Sequence, residues 1–284
     1  MARPILACCV AIALLSVMDA VIKEALKTLP VLQVAFLRYA VGSACMAAVS
    51  AAYRPGWPRP DTVRANAVRA LLVVVTATCF FYGIGVLPLA EALLLSFMSP
   101  FFTAVLAAML LGEKLGGRTI GAIAAGFAGV AVIVAGSGGG EGGGPAAAPV
   151  LGAAAILLSA LTYSASNVLL RARAQRDPLL HIVLIQNVAP ALMLAVPGAL
   201  VWVAPSAREA LLLVAIGLLG VAGHLCLARA YAGAEASRLA PLDYTALIWA
   251  LGLGFFAFGE VPTAWAAAGA VLIFAGVLIG ARRR

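Results

Sequence analysis

Gly112-Glu113 is followed, fourteen positions after the glutamate, by Phe127-Ala128-Gly129-Val130, and Gly259-Glu260 is followed, at the same distance, by Phe274-Ala275-Gly276-Val277. An apolar run precedes each Gly-Glu pair, and a small-residue-rich apolar run follows it. Two matched tetrapeptides at one fixed offset mark a duplicated unit of about half the chain. Glu113, Glu260, Gly129 and Gly276 are the markers of that repeat, each expected to fix a helix end or a close helix contact.

Composition decides the solvent. The chain of 284 residues is 64% hydrophobic and 11% charged, with a mean hydropathy of +1.09. So few polar groups cannot cover a water-soluble domain of this size, so the chain is an integral membrane protein. In lipid every backbone polar group needs an internal partner, and long, non-alternating apolar runs select helices over a barrel. The net charge of +8 then reads as a topology signal, not as a nucleic-acid face. The five cysteines lie inside apolar runs without paired spacing, so neither a disulfide framework nor a metal site is expected.

A membrane-crossing helix needs roughly 20 apolar residues, and ten runs qualify. They are Ile5–Val21, Val31–Ala52, Ala70–Leu87, Leu89–Leu111, Ile120–Gly136, Val150–Leu170, Leu179–Val203, Leu211–Ala228, Leu239–Phe258 and Ala264–Gly280. With the N-terminus placed in the cytoplasm, the inner side holds Arg3, Arg54, Arg59, Arg64, Arg69, Lys114, Arg118, Arg171, Arg173, Arg176, Arg229, Arg238 and Arg282 to Arg284. The outer side holds only Lys23, Lys27 and Arg208, and Arg38 lies within a span. That bias fits ten spans with both termini inside, in a bacterial inner membrane.

Residues 137–149 form a Gly-rich external linker between a first unit, 1–136, and a second, 150–284. The formal Gly138-x-Gly140-x-x-Gly143 match carries no dinucleotide reading, because no strand precedes it. Each unit has five spans. An odd number forces the second unit to insert upside down, which predicts an all-α fold of two inverted five-helix repeats. Secondary transporters use this plan, with the site near the midplane between halves.

Ten spans, two five-span repeats, a Gly-Glu pair closing the fourth span of each, and a Gly-rich final span resemble the drug/metabolite transporter superfamily, and within it the EamA-domain branch. Leu14 to Lys23 (LLSVMDAVIK), Gln33 to Arg38 (QVAFLR), Ser96 to Phe102 (SFMSPFF) and Leu111-Gly112-Glu113-Lys114 carry the resemblance. It covers the whole chain and implies a permease for a small organic molecule, without a cofactor. The opening strings are similar to those of bacterial members that take up S-adenosylmethionine. Drug or metabolite efflux is the alternative the resemblance leaves open.

Charges inside hydrocarbon cost roughly 2.5–3.5 kcal/mol each on insertion scales, so each one left there asks for a role. Asp19 and Lys23 share a helix face near the outer end of span one, and Arg38 lies about two turns into span two from the same side. The cluster reads either as an anchor for a zwitterionic substrate or as a neutralised structural group, with Lys23 snorkelling outward. Asp243, followed by Tyr244, Thr245 and Trp249, reads as a cation site with aromatic faces, or as an acid favoured in a first helical turn. Tyr163, Asn167, His224 and Ser96 complete the substrate-cavity candidates, each with a plain packing role as the alternative. Asp19, Asp243 and His224 are the proton-coupling candidates. Pro100 reads as a kink within span four, and the glycines of spans five and ten read as a contact between those helices or a homodimer face. A membrane enzyme lacks support: the chain has two histidines and neither His-Glu-x-x-His nor Gly-x-Ser-x-Gly. Short loops leave a non-transporting scaffold little partner surface.

Overall fold

The computed structural model describes residues 2–53, 56–111, 117–137, 147–173, 178–233 and 240–281. Gly112, Glu113 and most of the Gly-rich linker lie outside the described residues. The helices are α1 (Ala2–Ala25), α2 (Val31–Tyr53), α3 (Pro60–Val86), α4 (Leu89–Ser96), α5 (Ser99–Leu111), α6 (Gly117–Ser137), α7 (Ala147–Arg173), α8 (Leu179–Leu200), α9 (Ala207–Gly233), α10 (Thr245–Phe258) and α11 (Ala264–Ala281), with a 3-10 turn at Ala240–Tyr244. Among the described residues each apolar run is largely helical. Among the described residues seven helical segments are long and apolar enough to cross a membrane, and three further apolar ones, Ile120–Gly136, Leu242–Phe258 and Ala264–Ile279, are shorter.

Three boundaries differ from the apolar runs, each for a local reason. α3 begins at Pro60, ahead of the run at Ala70. Pro at the first helical position needs no N–H partner, and Asp61 in the first turn suits the positive helix end. The fourth run is two helices, broken at Phe97 and Met98. Pro100, read as a kink, stands in the first turn of α5, where it breaks the ladder outright. Two hydroxyls bond the backbone on either side of the break: Ser96 Oγ donates to the Leu93 carbonyl at 2.7 Å, and Ser164 Oγ of α7, in the second half, donates to the Ser99 carbonyl at 2.7 Å. The ninth run starts as a 3-10 turn that carries Asp243, so the helix proper begins only at Thr245.

The two irregular points correspond. Phe97 stands sixteen residues before Glu113, and Tyr244 sixteen before Glu260. Their rings touch edge to face, with centroids 5.3 Å apart. Helix pairing has the same symmetry. α1–α9 and α3–α7 pack as counterparts, as do α2–α9 and α3–α8, and α1–α10 and α5–α7, while α2–α8, α6–α11 and α4–α10 join equivalent helices. Exchanging the halves maps these pairs onto one another, whereas α2–α3, α1–α3 and α6–α7 pack without an equally close counterpart among the described residues. One hydrophobic core, with Val34, Ile84, Leu95, Ile133, Ile156, Leu194, Ile216 and Ile273, therefore draws on both halves.

α6 and α11 pack against each other within the chain. A Cβ on Gly129 would come within 2.7 Å of the Gly269 carbonyl oxygen, and one on Gly276 within 2.7 Å of that of Ala122. The small-residue faces thus let two backbones touch. At the end of α10, Gly259 adopts a left-handed φ of 68° and turns the chain, so that the Glu260 N–H reaches the Gly254 carbonyl at 2.9 Å. This turn aims the Glu260 side chain at the first half.

Candidate functional site

Two polar clusters lie between the halves. The first is built on α1, α2, α3, α8 and α9. Arg38 of α2 is buried, with its guanidinium 4.3 Å from the Tyr39 ring centroid and its Nε without a hydrogen-bond partner. It packs beside Gly220 of α9, where a Cβ would stand at the ordinary contact distance of 3.5 Å from Arg38 Nη2. Asp19 of α1 is half-buried and within electrostatic reach of Arg38. Among the described residues no ion pair within 4.0 Å joins them. His224, one turn beyond Gly220, donates from Nδ1 to the Gly220 carbonyl at 2.7 Å, which in the neutral ring leaves Nε2 as an acceptor. It lies within electrostatic reach of both Arg38 and Arg69.

Arg69 of α3 is the member the sequence reading overlooked. It was counted with the inner-surface cations, yet it is buried, and Nη2 donates to Gln186 Oε1 of α8 at 2.7 Å while Nε has no partner. A signal was present. Thr62, Asn66 and Arg69, all buried, follow the i, i+4, i+7 spacing of one helix face. Beginning the span at Ala70 hid that face.

The second cluster gathers residues of α1, α7 and the 3-10 turn. Tyr163 stands one turn from Asn167 and is 47% exposed, and Asp243 lies within electrostatic reach of Tyr163, Tyr244 and Cys8. The Tyr244 ring packs edge-on against both Phe97 and Phe274. Cys8 and Asp19 are eleven residues apart on α1, which separates the two clusters by about 16 Å along that helix. Trp249 does not join Asp243. Six residues further along, it faces a different side of α10 and is half-exposed. The Ser96 hydroxyl is committed to its own helix.

At the end of α1 that meets α10, Lys23 does not snorkel. Its ammonium pairs with Glu260 Oε1 at 2.6 Å and donates to the Leu87 carbonyl. Glu260 Oε2 accepts the Leu89 N–H at 2.7 Å, one of the donors left unpaired at the start of α4. Lys23 and Lys27 also stand 5.6 and 5.0 Å from the Phe258 ring centroid. One carboxylate of the second half thereby ties α1 to the start of α4. Lys23 snorkelling would have left this carboxylate partly buried without its cation, which is the costlier arrangement.

Comparison with known proteins places this geometry in context. The sequence pattern of the EamA-like transporter family matches twice, over residues 2–135 and 150–281. The chain is 32% identical to the pseudopaline exporter CntI of Pseudomonas aeruginosa, over 91% of this chain and 88% of that one. It is 24% identical to an S-adenosylmethionine uptake transporter of Rickettsia prowazekii, over 87% and 81%. Against a riboflavin transporter of Rhizobium johnstonii the identity is 29%, over 74% and 67%. A solved crystal structure superposes with a TM-score of 0.64 at 25% identity, covering 99% of this chain and 96% of the other.

Proposed function

Because the chain belongs to the EamA-like transporter family, we propose that it is a secondary transporter that moves a small, amino-acid-like organic metabolite by alternating access between two inverted halves, 1–136 and 150–284. Asp19 and Arg38 carry this reading. They face one another electrostatically between the halves but form no direct bridge. A carboxylate accepts a substrate ammonium, and a guanidinium fork takes a substrate carboxylate. A structural pair would close on itself.

The rest of the geometry serves the cycle. Lys23, Glu260 and the Leu87–Leu89 backbone form the outer gate, latched in this conformation. The touching irregular points at Phe97 and Tyr244 supply the pivot on which the halves exchange access. A proton is the proposed coupling ion, carried by Asp19, Asp243 or His224. Both termini are cytoplasmic, and the 137–149 linker is outside.

The test is flux into proteoliposomes, with amino acids, S-adenosylmethionine and riboflavin as labelled substrates. Asp19→Asn and Arg38→Gln are each expected to cut flux of the accepted class at least tenfold with insertion unchanged. Full flux in both variants would sink the anchor reading. Flux independent of the pH gradient in the wild type would sink the proton. A second reading, S-adenosylmethionine itself, is favoured by the matching relatives of that name. There the Asp243 carboxylate beside Tyr163 and Tyr244 would hold the sulfonium. That reading predicts that Asp243→Asn, more than Arg38→Gln, abolishes S-adenosylmethionine flux.

A further inference from the structure

Asp19 is the carboxylate that Arg38 stands against, and no acid among the described residues lies within ion-pair distance of Arg69. Arg69 is 3% exposed and Arg38 9%, and both keep an unpartnered Nε. A buried guanidinium with one neutral hydrogen bond is costly, by several kcal/mol even after relaxation. A protein keeps such a group where something else supplies the missing anion. We infer that Arg69, with Gln186, forms a second anion subsite on the cytoplasmic side of the Asp19–Arg38 anchor, and that the substrate is an elongated amino compound with at least two acidic groups. This rests on the transporter reading above and specifies the substrate of that same site.

The depth of the two arginines sets the shape of the substrate. Arg38 is fifteen residues from the Tyr53 end of α2, and Arg69 nine from the neighbouring Pro60 end of α3. At 1.5 Å per residue the two differ in depth by about 9 Å. His224, within electrostatic reach of both, offers a neutral acceptor at Nε2, which suits a substrate N–H and not a carboxylate. A zwitterion with one carboxylate would satisfy Asp19 and Arg38 and leave Arg69 as it was. A second acid several bonds away would satisfy Arg69 as well, through the fork that Nε and a terminal nitrogen present together. Acids on adjacent carbons could not span that depth.

The experiment uses the full chain, purified in detergent and reconstituted in parallel, with four probes: γ-glutamylglutamate, glutamate, glutamine and S-adenosylmethionine. Binding is read from the ligand-induced shift in melting temperature, and transport from vesicle flux. Affinity is expected to rise with the number of separated acids, with γ-glutamylglutamate at least tenfold tighter than glutamine. Arg69→Gln should bring γ-glutamylglutamate down to the level of glutamine, while the ligand-free melting temperature stays equal or rises. Arg69→Lys keeps the charge without the fork and should fall between. An Arg69→Gln protein that melts lower and ranks the probes as the wild type does would show Arg69 to be structural and overturn the inference. A preference for glutamine or S-adenosylmethionine, indifferent to Arg69→Gln, would overturn it too, while leaving the transporter reading in place. Absence of flux for all four, together with no melting shift, would overturn the acidic substrate class directly.

Discussion

The rim around Lys23 and Glu24 and the interior of this protein treat charge in opposite ways. On the rim each described cation has an anion in contact: Lys23 has Glu260, and Lys27 and Arg208 share Glu24, at 2.6 and 2.9 Å. Glu209 is held by Thr28 and by the Ser206 N–H. In the interior, where an unpaired charge costs most, Arg38 and Arg69 keep buried nitrogens without partners and Asp19 remains unbridged. If charges were placed for stability alone, the pattern would be reversed. Rim pairs hold elements together in the resting protein. On the proposed function, the interior groups are open for a passing substrate to complete.

The latch gives the largest effect that breaks this contrast. The Lys23 and Glu260 side chains are 12% and 18% exposed, so each depends on the other in place of water. Glu260→Ala leaves Lys23 with a lone carbonyl and the Leu89 N–H unpaired, and should destabilise by about 3 kcal/mol in chemical unfolding. Lys23→Met combined with Glu260→Gln should recover part of that loss, giving a coupling of about 1–3 kcal/mol in a double-mutant cycle. A cycle that closes to zero would mean the two groups act independently and no latch exists.

Arg38 should behave in the opposite sense. Arg38→Met removes a buried charge without breaking an ion pair, so its stability should be unchanged or higher by about 1 kcal/mol, because an apolar side chain of similar volume needs no desolvation. Flux should nevertheless fall tenfold or more. A fall in stability comparable to that of Glu260→Ala would place Arg38 with the rim and erase the distinction.

The fold was far more legible in the sequence than the site. Apolar runs report helices directly, because lipid forbids other backbone structures. The duplicated Gly-Glu and Phe-Ala-Gly-Val strings placed α6 and α11 in matching positions before any contact was known. Boundaries failed where polar residues extend a helix, as at Pro60, or where proline breaks one outright, as at Pro100. Those two errors propagated into the site. Starting the third span at Ala70 left Arg69 outside it, on the side where a cation reads as a topology signal. Lys23 and Glu260 lie at opposite ends of the chain, so no local pattern could pair them. Asp19, Arg38 and His224 were accessible because a charged or titratable side chain inside an apolar run stands out without structural help. Trp249 shows the limit: adjacency in sequence to Asp243 does not put it on the same helix face.

The smallest effect is also the one that tests whether the rim is uniform. Arg208 contacts Glu24 at 2.9 Å, but its side chain is 78% exposed, against 12% for Lys23. Water and salt already screen it, so Arg208→Ala should cost less than about 1 kcal/mol. Raising ionic strength toward 1 M shortens the screening length to about 3 Å and should erase even that difference. The same salt should hardly touch the cost of Glu260→Ala, because a half-enclosed pair excludes the ions that would screen it. Both pairs join the two halves, so parallel unfolding of the two variants at low and high salt separates a screened, exposed contact from one that holds the halves together. Equal salt sensitivity would demote Lys23–Glu260 to decoration and leave the outer closure to apolar packing and the Gly259 turn.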